Sequence, residues 1–301
     1  MARLIPLIDP ERTPKPPWLK VKAPGSANYT RLKGLMRELR LHTVCEDAHC
    51  PNIGECWNHG TATFMILGDV CTRACSYCAV AHGRPAAVDP DEPVRVAEAV
   101  RTLNLGYVVV TSVDRDDLPD GGASIFAETI RQIRGRLPES RIEVLIPDFQ
   151  GKEASLHEVL DAGPDVLNHN TETVPRLYRA ARSGGRYDRT LDLFARSRRY
   201  APAIPTKTGL MVGLGEEHDE IISTFRDLRG VGCEVLTLGQ YLRPSPQHAP
   251  IARYYHPDEF RELKRIALEL GFVHVESGPL VRSSYHAHET AEAYEQVQRL
   301  Q

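Results

Sequence analysis

The chain has 301 residues, of which 42% are hydrophobic and 26% charged, with a formal net charge of −3. Such a length buries a full core, and one barrel-sized α/β domain fits it as well as two small ones. Near-neutral charge without long runs of one sign gives no reason to expect nucleic acid, and no apolar run approaches membrane-spanning length.

Met1–Pro10 lacks a charged segment followed by a long apolar stretch, so no secretory signal is read and a cytoplasmic location is expected. Pro6, Pro10, Pro14, Pro16, Pro17 and Pro24 predict an extended arm, with Trp18 as its anchor on the body. Leu32, Leu35, Met36 and Leu39 recur at helical spacing and predict a short amphipathic helix over Tyr29–Leu41. Six of the seven cysteines then fall between Cys45 and Cys78. Crowding of this kind, in a large chain without export features, reads as metal ligation in a reducing compartment and not as a disulfide framework. The first triplet is Cys45-x4-Cys50-x5-Cys56. An apolar strand over Ala62–Gly68 leads into the second, Cys71-Thr-Arg-Ala-Cys75-Ser-Tyr-Cys78. Iron–sulfur clusters are held by thiolates, and a four-iron cubane normally takes four, so three leave one iron open. A structural zinc site competes with this reading on spacing alone, but two triplets are more than one zinc needs.

Beyond Cys78 strand and helix alternate. Helices are predicted over Val94–Leu103, Ile125–Ile133, Leu156–Leu160, Leu191–Tyr200 and around Ile221–Leu228. Strands are predicted over Tyr107–Val113, Ile142–Ile146, Val166–Glu172, Thr208–Leu214 and Val235–Leu242. With the cluster strand these make six βα-like units and a parallel sheet, either open and doubly wound or barrel-like. Pro257–Leu270 is a strongly periodic helix, and another is expected in the tail after Gly278. Strand ends carry polar groups: Thr111, Ser112 and Asp114, then Asn168, Asn170 and Glu172. Helix capping explains any one of them, whereas their clustering across strands suits a binding rim. Eight arginines between Arg176 and Arg199 read as a solvated helix face or as a docking surface for an acidic protein. The histidines show no metal-binding helix signature, and Cys233 reads as a small buried apolar residue.

The Cys71-x3-Cys75-x2-Cys78 spacing, with Tyr77 before the third cysteine, resembles the radical S-adenosylmethionine (SAM) superfamily. That resemblance favours an incomplete (β/α)6 TIM-like barrel with an N-terminal cysteine-rich arm and a C-terminal extension, its chemistry at the carboxyl ends of the strands. It implies an open iron chelated by the amino and carboxylate groups of SAM, and reductive release of a 5′-deoxyadenosyl radical. Thr111, Ser112, Asp114, Asn168, Asn170 and Glu172 become candidate SAM contacts.

Both triplets together, with His59–Ile66, Thr111–Leu118, Asn168-His-Asn170, Gly209–Glu216, Gln240–Pro244 and Arg282-Ser283-Ser284-Tyr285, resemble the lipoyl synthase family. Arg182–Tyr187 departs from the proline-containing segment of many members. The resemblance implies two four-iron, four-sulfur clusters, one on Cys71, Cys75 and Cys78 and an auxiliary one on Cys45, Cys50 and Cys56. Ser283 would be the remaining protein ligand of the auxiliary cluster. It further implies insertion of two sulfur atoms, at C6 and C8 of an octanoyl group on a carrier-protein lysine. The partners implied are octanoylated lipoyl carrier domains, or a carrier of the glycine-cleavage type, and an electron-donor protein. Residues 1–60 would then carry the auxiliary ligands, 61–256 the partial barrel, and 257–301 a helical extension with the Arg-Ser-Ser-Tyr element. Another radical SAM sulfur-inserting or methylthiolating enzyme is the competing enzymatic reading. A non-catalytic iron–sulfur carrier, which should not cleave SAM, is the competing reading of another class.

Overall fold

A computed structural model describes residues 15–21, 24–48, 50–58, 62–285 and 287. Near the amino end, Trp18 packs edge-on against His256 with ring centroids 4.9 Å apart, which ties the arm to the body as expected. Ser26 caps α1 (Ala27–Glu38), its Oγ accepting from the Tyr29 amide at 3.1 Å, and the helix buries Leu32 and Met36. The short β1 (His42–Thr43) pairs antiparallel with β2 (Thr63–Ile66). Between them lie two short helices, α2 (Val44–Asp47) and α3 (Ile53–Asn58), that the sequence pattern did not reveal. A two-residue parallel ribbon, β3 (Val70–Cys71) with β4 (Ala81–His82), closes the base of the second cysteine loop.

Strand and helix then alternate through α4 (Glu92–Leu103), β5 (Tyr107–Ser112), α5 (Ala123–Arg136), β6 (Arg141–Leu145), α6 (Glu153–Asp161) and β7 (Val166–Asn168). They continue through α7 (Tyr178–Ala181), α8 (Tyr187–Tyr200), β8 (Thr206–Val212), α9 (His218–Gly230), β9 (Val235–Gln240), α10 (Pro257–Glu269) and β10 (His274–Gly278). The sheet runs β1-β2-β5-β6-β7-β8-β9-β10, and every pairing beyond β1 is parallel. This is the incomplete, open-edged barrel expected, with one more parallel strand than the six anticipated. β10 escaped notice because His-Val-Glu-Ser-Gly buries only Val275 fully, so it lacks a strand's apolar signature.

Alternation along each strand sorts the two faces. Val108, Val110, Ile142 and Val144 join the core under the helices and are fully buried. Tyr107, Val109, Thr111, Glu143 and Leu145 take the opposite, concave face. The expected strand Val166–Glu172 ends at Asn168, because Thr171 turns its amide and hydroxyl to Thr208 Oγ1 at 3.1 and 2.8 Å. The chain returns to β8 through one bridge, Glu172 to Leu210, with Glu172 held at φ 71°. A left-handed glutamate is costly backbone, and it sits at the mouth of the site. The helix expected in the tail lies outside the described residues.

Candidate active site

The Cys71–Cys78 loop leaves the carboxyl end of β2 and is held by the ends of the next two strands. Thr72 donates its amide and hydroxyl to the Asp114 carbonyl at 3.0 and 2.9 Å, and accepts from the Asp116 amide at 3.1 Å. Arg73 forks onto Asp116 at 2.7 and 2.8 Å and reaches Asp148, beyond β6, at 2.6 Å. On the other side, Ser76 donates its amide to the Ala181 carbonyl at 2.9 Å, and His248 Nε2 lies 3.0 Å from the Cys78 carbonyl.

Cys71, Cys75 and Cys78 face one pocket, and Thr111, Ser112, Asp114, Asn170 and Glu172 line the same space. Five of the six rim residues expected from sequence are therefore gathered around the second triplet. Asn168 is the exception. It is fully buried below the pocket, and its Nδ2 donates to Glu143 Oε1 at 2.7 Å. Glu143 also takes Tyr107 OH at 2.7 Å and Lys207 Nζ at 2.9 Å, making a buried polar layer inside the barrel. Residues two apart on β7 and its extension share a face, but Asn168 is consumed by the layer beneath.

Arg182 and Tyr77, which sequence reasoning did not place in the rim, also line this pocket. Arg182 donates to Tyr178 OH at 3.0 Å and to the Asn170 carbonyl. Burial pushes the carboxyls of Glu172 and Asp114 up, against the pull of Arg182 on the first and of Arg73 on the second. Five of the eight arginines are in ion pairs: Arg176 with Glu220, Arg186 with Asp188, Arg189 with Asp148, Arg196 with Asp192, and Arg198 with Glu234. That pattern matches a salt-bridged face more closely than an unpaired basic docking surface. Cys233 is fully buried, as expected.

Tyr77, Cys78, Asn170 and Glu172 also line an adjoining cleft, which continues past Gly209 and Gly239 to Arg282 and Ser283. Both glycines are required by close approach. A Cβ on Gly209 would stand 2.6 Å from Asn170 Oδ1, and one on Gly239 would collide with the Val281 carbonyl. The tail thus crosses directly over the barrel mouth.

The first triplet lies beyond this crossing. Cys45, Cys50 and Cys56 share a recess with Asn52, Thr63, Arg282, Ser284 and Tyr285. Asn52 Nδ2 donates to the Leu280 carbonyl at 2.7 Å, and Tyr285 OH to Glu55 Oε1 at 3.2 Å, so arm and tail are stitched together. Ser283, expected beside these thiols, turns the other way and donates to Asn170 Oδ1 at 2.9 Å. Ser284 faces the recess, with its Oγ accepting from Thr63 Oγ1 at 2.9 Å. The two serines lie in a tight turn, in which the Tyr285 amide donates to the Arg282 carbonyl at 2.9 Å.

All seven cysteines are free thiols. Burial raises Cys50 and Cys71 to about 11 and Cys56 and Cys78 to about 12. Without metal these thiols hold their protons at neutral pH, so loading with iron must release them. Three soft sulfur donors in each of two recesses fit iron–sulfur ligation. Among the described residues no three His, Cys, Asp or Glu side chains are gathered closely enough to grip a single ion.

Residues 65–228 match the family model of the radical SAM superfamily, and residues 5–50 that of the N-terminal domain of lipoyl synthase. A lipoyl synthase of Koribacter versatilis is 61% identical over 96% of this chain and 95% of its own. Another, of Rubrobacter xylanophilus, is 57% identical over 92% and 87%. Among solved structures, methylornithine synthase superposes with a TM-score of 0.53 at 14% identity, covering 84% of this chain and 78% of that one. Streptococcus suis SuiB bound to S-adenosylmethionine gives 0.53 at 10% identity, covering 72% and 50%; at such identities both bear on the fold alone. No helix among the described residues is long and apolar enough to cross a membrane. With family models matching both the barrel and the amino-terminal arm, and close relatives matching nearly the whole length, the chain belongs to the lipoyl synthase family of the radical SAM superfamily.

Proposed function

We propose that the lipoyl synthase activity of this enzyme is divided between its two cysteine triplets. Cys71, Cys75 and Cys78 would hold the radical-generating four-iron, four-sulfur cluster, and Cys45, Cys50 and Cys56 an auxiliary one. Ser284, not Ser283, is the better candidate for the auxiliary cluster's oxygen ligand, because it lines the thiol recess. When bound, the clusters and SAM supply a 5′-deoxyadenosyl radical and two sulfur atoms for C6 and C8 of a carrier-bound octanoyl-lysine.

The chain's own task is placement, since an unactivated C–H bond offers acids and bases no handle. Asp114, Asn170 and Glu172 offer polar contacts for SAM around the second triplet. Leu210, Met211, Leu242 and Val281 give the adjoining cleft apolar wall suited to an alkyl chain. Arg282 borders both that cleft and the auxiliary recess, so a chain lying in the cleft can approach both triplets. This shared border is the observation that carries the reading. Residues 1–60 would serve as auxiliary arm; the barrel would run past the expected boundary at 256 through β10, whose pairing with β9 extends the sheet, leaving the residues after Gly278 as covering tail. The carrier is an octanoylated lipoyl domain or a glycine-cleavage-type protein, and a donor protein supplies electrons.

The test is anaerobic reconstitution, followed by SAM, a reductant and an octanoyl-lysine peptide, with the peptide weighed by mass spectrometry. Gain of two sulfur atoms is expected. SAM cleavage without sulfur gain would favour a different radical SAM reaction.

A further inference from the structure

The second triplet is fixed by one buried cation. Arg73 lies between Cys71 and Cys75, and its side chain is only 3% exposed. Around it stand three carboxylates from two strand ends: Asp116 at 2.7 Å, Asp148 at 2.6 Å and Asp114 at 3.4 Å. Arg189, at 3.0 Å from Asp148, is the second cation of the group. Gly184, at φ 74°, lies against the arginine stem, and a Cβ there would come within 3.1 Å of Arg73 Cδ. So the Arg182–Tyr187 stretch packs on this arginine through Gly184.

The group reaches the sulfur itself. The Arg73 and Asp114 amides both donate to Cys71 Sγ, at 3.4 and 3.3 Å, and Asp114 Oδ2 lies 3.7 Å from it. Reduction potentials of iron–sulfur clusters respond to local charge and to hydrogen bonds on the sulfurs. Here Arg73 and Arg189 stand against Asp114, Asp116 and Asp148, and Arg182 and Glu172 line the same pocket.

We propose that Arg73 is a positioning residue for the Cys71–Cys78 loop, and that its clamp with Asp114, Asp116 and Asp148 sets how readily the cluster there accepts an electron. The proposal rests on assigning the radical cluster to this triplet. Charge dictates the sign of each change. Removing the cation takes a positive charge from beside Cys71 and makes one-electron reduction harder. Neutralising a carboxylate makes it easier. A clamp that only stiffened the loop would move both variants in one direction.

The experiment titrates reconstituted full-length protein with dithionite as electron donor, following by electron paramagnetic resonance the reduced signal that changes when SAM is added. The midpoint potential should move negative in Arg73→Gln and positive in Asp116→Asn. In the metal-free proteins, amide exchange at Thr72 and Asp116 should speed by about tenfold or more in Arg73→Gln. If Arg73→Gln loses this cluster's iron but keeps the other's, the clamp is supported and Asp116→Asn carries the sign test alone. Shifts of the same sign in both variants, or none in Asp116→Asn, would overturn the proposal. A wild-type protein without any SAM-responsive signal would instead overturn the assignment of the cluster to this triplet.

Discussion

The two cysteine triplets are held by different kinds of structure. Cys71, Cys75 and Cys78 sit on one loop at the end of β2, pinned by Arg73 and Thr72 to the ends of β5 and β6. Their neighbours are strand ends, and the barrel itself fixes them. Cys45 and Cys56 ride on the short helices α2 and α3 with Cys50 between them, and their recess is completed by Arg282, Ser284 and Tyr285, more than two hundred residues away. One site is built into the sheet, whereas the other exists only when arm and tail meet.

The sharpest way to break this contrast is to delete thiols on the barrel side. Cys75→Ala should reduce SAM cleavage to background, measured as 5′-deoxyadenosine, because a cluster with three protein thiolates loses one. Ser284→Ala comes next: it should keep SAM cleavage but lose lipoyl product and auxiliary-cluster iron. Ser283→Ala should leave auxiliary iron in place, since its hydroxyl faces Asn170. Equal loss of auxiliary iron from both serine variants would remove the distinction drawn between them.

The barrel's buried layer sharpens the comparison from the side of stability. Glu143 and Lys207 are both fully buried and 2.9 Å apart. Glu143→Ala should cost about 3–5 kcal/mol in urea unfolding, because it strands the lysine charge inside the protein. Glu172→Gln should weaken SAM binding by about tenfold, roughly 1.4 kcal/mol, with iron content unchanged at both triplets. Unaltered affinity would make Glu172 a residue of the strained turn alone.

A pH slope tests the same buried interior. His169 is fully buried, and burial, with the Arg182 charge beside it, lowers it from 6.5 to about 3. Between those values the unfolded chain binds a proton that the folded one refuses. Stability therefore falls as pH drops from 6.5 toward 3, by at most about 1.4 kcal/mol per pH unit from this group. His169→Gln should flatten that part of the slope between pH 6.5 and 5.

How much of this was legible in the sequence follows the same division. The barrel strands were readable because Val108, Val110, Ile142 and Val144 form apolar runs between helical periods. The second triplet announced itself by spacing, and most of its rim by polar strand ends. Asn168 misled because a strand-end amide looks the same whether it faces a ligand or a buried glutamate. Ser283 and Ser284 are adjacent and chemically equal, and only the turn at Arg282–Tyr285 separates them. Arg73 lay in plain view inside the motif, but its three aspartate partners are 41, 43 and 75 residues away.

The most direct measurement of divided labour is the product spectrum of Cys50→Ala, reconstituted without oxygen and given SAM, reductant and octanoyl-lysine peptide. The expected result is 5′-deoxyadenosine and methionine with no sulfur gained by the peptide. Lipoyl product from that variant would contradict the assignment of the sulfur source to the first triplet.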